Sequence, residues 1–63
     1  MRFTLTINLD NAAFHGEPDE LARLVHQVAE TAAAFDVTRL AGPFGVYDVN
    51  GNRVGSWEFT EEG

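Results

Sequence analysis

Asn50-Gly51 is the dipeptide most favoured where a tight turn needs positive φ, and here it sits between two runs, 44–49 and 52–60, rich in β-branched and aromatic residues. The chain is thereby committed to an antiparallel hairpin over about residues 44–60, and everything else must pack against it. Two registers satisfy the turn. A two-residue turn places Asp48 opposite Arg53, Val46 opposite Gly55 and Phe44 opposite Trp57, so that Phe44, Val46, Trp57 and Phe59 share one face. A three-residue loop with Gly51 in a bulge pairs Val46 with Val54 and turns Trp57 to the other face. The first is internally consistent and is preferred. Under it Tyr47, Val49, Val54, Ser56 and Glu58 lie on the sheet face away from the core.

Two other patterns complete the fold. Phe3, Leu5, Ile7 and Leu9 alternate with Arg2, Thr4, Thr6 and Asn8, the period of two of a half-buried strand over about 2–9. Residues 10–18 carry Asx, Gly and Pro punctuation and read as a connection, anchored on the core by Phe14. From Pro18 the spacing becomes helical: Leu21, Leu24, Val25, Val28, Ala32 and Phe35 form one apolar stripe, with Glu20, Arg23, Gln27, Glu30 and Thr31 opposite. Pro18 suits the first helical position, and Asp19 and Glu20 complement the positive end of the helix dipole, so a helix is expected over about 18–35. Residues 36–41 show no readable pattern before Gly42-Pro43 interrupts the chain, and Glu61-Glu62-Gly63 reads as a solvated tail. The expected fold class is α+β in the order β-α-β-β: a three-stranded antiparallel sheet with one helix packed on one face, a single domain over 1–63.

With 63 residues and no cysteine, the chain lies near the lower limit for a core that folds without disulfides, metal or a partner subunit. The opening residues contain no continuous apolar run, so no signal peptide is expected, and no segment reaches membrane-spanning length. A cytoplasmic location is the expectation. Ten Asp and Glu against four Arg give a net charge of −6, which repels phosphate backbones and anionic lipid, so neither nucleic acid nor a membrane is an expected direct partner. Such a charge serves solubility; read functionally, it is a surface that meets a basic partner or mimics nucleic acid.

Little in the chain suggests chemistry. Asp48, Asn50 and Asn52 begin a calcium-loop pattern, but Arg53 stands where that loop needs glycine and Phe59 where it needs a bidentate acid. His15, Glu17 and Asp19 alternate before the helix without the spacing of a closed metal site, and His26 lies beyond Pro18. Ser56, the sole serine, falls in mid-strand, and the acids fall at loops, helix surface or tail, so neither a nucleophile–base pair nor a contrasting carboxylate pair is in view. The chain reads as a non-enzyme with no cofactor and no metal. A small molecule between helix and sheet would need a cavity that so short a chain can hardly spare.

The Phe3-Thr4-Leu5-Thr6-Ile7 strand, the Asp10-Asn11-Ala12-Ala13-Phe14 segment, the Leu21-Ala22-Arg23-Leu24 helix and the hairpin string Asp48-Val49-Asn50-Gly51-Asn52-Arg53-Val54-Gly55-Ser56-Trp57 together resemble a group of small proteins encoded by actinobacteria and their phages. The resemblance implies a source and a fold and carries no functional residues. The functional expectation is a protein–protein interaction module, phage- or mobile-element-derived, engaging itself as a homodimer or a host protein through the sheet face or an unpaired strand edge. Its candidate surface is Tyr47, Val49, Val54, Ser56 and Glu58. The alternative is an acidic nucleic-acid mimic that inhibits a host DNA-binding or defence protein through Glu17, Asp19, Glu20 and Glu30.

Overall fold

The computed structural model describes residues 1–10 and 12–61, the side chains of residues 12 and 13 excepted; the expected tail beyond Glu61 lies outside them. Its elements are β1 (Arg2–Ile7), α1 (Ala12–Gly16), α2 (Glu20–Ala33), β2 (Ala41–Tyr47) and β3 (Arg53–Thr60). The strands form one antiparallel sheet in the order β1-β3-β2, with α2 on one face, so the expected α+β architecture holds. The short α1 replaces the expected connection: two alanines favour the helical turn and Gly16 closes it.

The main helix starts later than the sequence pattern suggests. Asp19 is its N-cap, and Pro18 precedes the helix instead of occupying its first position. At the other end, the N–H groups of Ala34 and Phe35 bond to the carbonyls of Thr31 and Ala32, a tightened final turn. Leu24, Val28 and Ala32 are buried, whereas Leu21 and Val25, expected in the same stripe, remain 39% and 43% exposed. Opposite the helix, Val46, Val54, Trp57 and Phe59 complete the core. Trp57 is its centre, with the rings of Phe3, Phe35, Phe44 and Phe59 at centroid distances of 4.7–6.0 Å. Phe35 meets it edge-on at 86°, the arrangement that sets a positive ring edge against a negative face.

The body of the hairpin has the preferred register: Phe44 pairs with Trp57 and Val46 with Gly55. Near the turn it departs from it. Tyr47, not Asp48, stands opposite Arg53, and Val54 has no partner on β2. The cause is Asp48. Its Oδ1 accepts the N–H groups of Asn50 and Asn52, its own N–H donates to the Asn52 carbonyl, and Gly51, at φ +84°, donates back to the Asp48 carbonyl. A buried carboxylate thus gathers residues 48–52 into a wider loop, and the extra residue is absorbed as a bulge. On the far side of β3, Gly55 passes so close to β1 that a Cβ there would overlap the Thr6 carbonyl oxygen.

Candidate functional site

The five residues expected to share the outer sheet face do not share it. At the bulge the alternation of faces slips, and Val54 is 6% exposed within the core cluster. Tyr47 lays its ring across Gly45 and lines a groove with Gln27, Thr31, Phe35 and Phe44. Val49 stands beside the start of α2, where its N–H donates to Glu20 Oε2 at 2.8 Å. Ser56 and Glu58 keep the expected place, across from Thr6 and Thr4, and the Tyr47 ring, lying over Gly45 beside Ser56, reaches the edge of that face. With Arg2 opposite Thr60, that face is polar.

The four acids do not form one patch either. Glu20 was expected on the solvent side of the helix; it is 3% exposed, because its carboxylate takes two guanidinium bonds from Arg23 (2.6 and 3.0 Å) as well as the Val49 N–H. The Arg23 bonds hold its pKa below the ordinary carboxylate value, against the opposing effect of burial, and the Val49 N–H adds to the lowering. Glu30 lies 3.3 Å from His26 one turn away, leaving Glu17 and Asp19 exposed near the helix start. Among the described residues no three His, Asp or Glu side chains gather as a metal site would require, and no helix is long and apolar enough to cross a membrane.

The groove beneath Tyr47 encloses about 230 Å³, less than the roughly 300 Å³ at which small-molecule pockets begin. It is open to solvent at the β2 edge and holds no ionisable side chain among its described neighbours apart from the Tyr47 phenol.

The two edges of the sheet differ in kind. β2 is interrupted by Gly42-Pro43 and by register shifts near both ends, devices that keep an edge from pairing further. β1 is regular, pairing with β3 without a shift from Arg2 to Ile7, and contains no proline and one charged residue, Arg2. The Asn8 N–H donates to the Val54 carbonyl at 2.7 Å. Since successive residues of an antiparallel strand point their N–H and C=O to opposite sides, Thr4 and Thr6 bond inward to β3 while Phe3, Leu5 and Ile7 direct theirs out from the open edge.

The side chains of these same three residues lie on the helix side, next to Phe59, Trp57 and Gly55. They are incompletely covered: Phe3 is 45% exposed, and Leu5 and Ile7 are half-buried. Gln27 and Thr31 turn toward β2, so at 100° per residue Leu21 and Val25 occupy the opposite flank of α2, toward β1. Incompletely covered apolar side chains therefore line the open edge between β1 and the helix as a shallow trough, which at its Leu21 end is lined also by Leu9 and by Phe14 of α1. The alternation over 2–9 was the sequence signal for this strand, but only the order β1-β3-β2 makes it an edge. No family model matches the chain, and no curated protein or solved structure is significantly similar to it.

Proposed function

We propose that the protein is a non-enzymatic protein-interaction module whose binding element is the β1 edge. The observation that supports this reading is the coincidence, on Phe3, Leu5 and Ile7, of outward-directed backbone groups and incompletely covered apolar side chains. Strand addition uses both: the backbone supplies bonds, and alternate side chains fill the neighbouring trough. The opposite edge, with Pro43 and its irregular register, is built against such pairing. Ser56, flanked across the sheet by Thr6 and Gly45, has no base at hand among these neighbours, and the β2 groove is small, which favours binding over catalysis. The resemblance to small actinobacterial and phage proteins makes a phage or mobile-element origin and a cytoplasmic site of action part of the same proposal.

The test is a synthetic chain with the Leu5 amide N-methylated, which removes one outward donor and leaves the ladder to β3 untouched. Immobilised native and methylated chains are exposed to an actinobacterial extract and to soluble native chain. Retention by the native form that falls at least tenfold on methylation is expected. Equal retention by both, or by neither, refutes the reading.

A further inference from the structure

The residues along the open edge also identify what pairs with it. Phe3-Thr4-Leu5-Thr6-Ile7 reads nearly the same in both directions about Leu5: apolar, threonine, leucine, threonine, apolar. We propose that the partner of this edge is β1 of a second copy, antiparallel, with the two-fold axis passing between the two Leu5 residues. This deepens the interaction-module reading and rests on it.

In this register Leu5 faces Leu5 of the second copy, Phe3 faces Ile7, and Thr4 faces Thr6. Phe3, Leu5 and Ile7 are the residues whose backbone groups point outward, so each of these pairs can exchange both of its hydrogen bonds. Shifting the axis to Thr4 or Thr6 leaves Ile7 or Phe3 facing a residue beyond the regular strand. The side-chain pairs are also favourable ones: aromatic against β-branched, leucine against leucine, and threonine against threonine on the polar face. Charge agrees. Arg2, the single charge of β1, comes alongside Asn8 and next to Asp10 of the second copy, and this occurs twice by symmetry. No like charges meet across the strands. Because the axis is perpendicular to the sheet, the two helices lie on the same side. Their Leu21 and Val25 flanks close over the joined trough, where Phe3, Leu5 and Ile7 of both copies become one core. A chain of this size gains there the burial that its own single helix does not supply.

The absence of cysteine allows a test that reads the register directly. Thr4→Cys and Thr6→Cys are prepared separately, mixed in equal amounts and oxidised in a glutathione buffer. In the proposed pairing these positions form a non-hydrogen-bonded pair, with Cα atoms about 4.5 Å apart and within disulfide reach. The mixed disulfide is expected to exceed each of the two symmetric ones at least tenfold, and unmodified chain is expected to sediment at twice its monomer mass at high concentration. Predominance of a symmetric disulfide refutes this register, a statistical mixture refutes pairing through β1, and a monomer at millimolar concentration refutes the dimer. In the last two cases, tenfold loss of extract proteins on Leu5 N-methylation would still uphold the interaction module with another partner, so the two ideas fail separately.

Discussion

Replacing Val54 by alanine separates a core position from the solvent-facing one that simple alternation assigns to it. Val54 is 6% exposed and belongs to the cluster of Leu24, Val28, Val46, Trp57 and Phe59. Two carbons are lost, worth about 0.8 kcal/mol each in transfer from water. If a void of about 40 Å³ stays open, the cavity term of about 24 cal/mol per Å³ adds roughly 1 kcal/mol. The expected cost is therefore about 2.5 kcal/mol. A domain of this length has roughly 3–9 kcal/mol in total, so the melting temperature should fall by roughly 10–20 °C. Val49→Ala, at a residue 62% exposed beside the turn, should change stability by less than about 0.5 kcal/mol. Guanidinium titration followed by Trp57 fluorescence reads both variants, at matched protein concentration so that self-association does not bias the comparison. If Val54→Ala shifts the midpoint no more than Val49→Ala does, with unchanged slope, the bulge does not bury Val54 and the argument fails.

Three further outcomes are expected. Asp48→Ala should cost about 2 kcal/mol by stripping the acceptor from the Asn50 and Asn52 N–H groups, with Asp48→Asn milder because an amide oxygen still accepts; thermal unfolding ranks them. Glu20 is held below the ordinary carboxylate pKa by Arg23, so its contribution is complete above that value and is lost as pH falls through the lower folded one; the stability gap between the native chain and Glu20→Gln should shrink on acidification, and a gap that widens would contradict the assignment. In dilute solution, where self-association is absent, amide exchange measured by NMR should be fast at Phe3, Leu5 and Ile7 and slow at Thr4, Thr6 and Asn8, with uniform protection along β1 counting against an open edge.

What was legible in the sequence was whatever depends on local periodicity. The alternation of Phe3, Leu5 and Ile7, the three-and-four spacing from Leu24 to Ala32, and Asn50-Gly51 between β-rich runs suffice for the strands, the helix and the pairing of Phe44 with Trp57. What was not legible depends on a contact between distant segments. Glu20 looks like any acid in a first helical turn until Val49, twenty-nine residues on, offers its N–H. The Asp48 loop carries a local hint in its run of Asx residues, which reads equally well as a failed calcium motif; the bulge follows only once that carboxylate is turned inward. The same division explains the displaced surface. Tyr47, Val49 and Val54 lie within the stretch where register slips, whereas Ser56 and Glu58, beyond it, are where alternation put them. That β1 is an outer strand depends on the third strand inserting between the first two, which no local pattern specifies.

The bare backbone at Gly55 has a consequence for how the chain finds this arrangement. A short alternating strand such as β1 can in principle slide along β3 by two residues and keep its apolar side chains facing the helix. Such a slide would bring the close approach that Thr6 and Ile7 now make to Gly55 against Arg53 or Trp57, both of which carry a Cβ. The missing methyl thus acts as a keyhole that fits the N-terminal strand in its present alignment better than in one displaced by two residues.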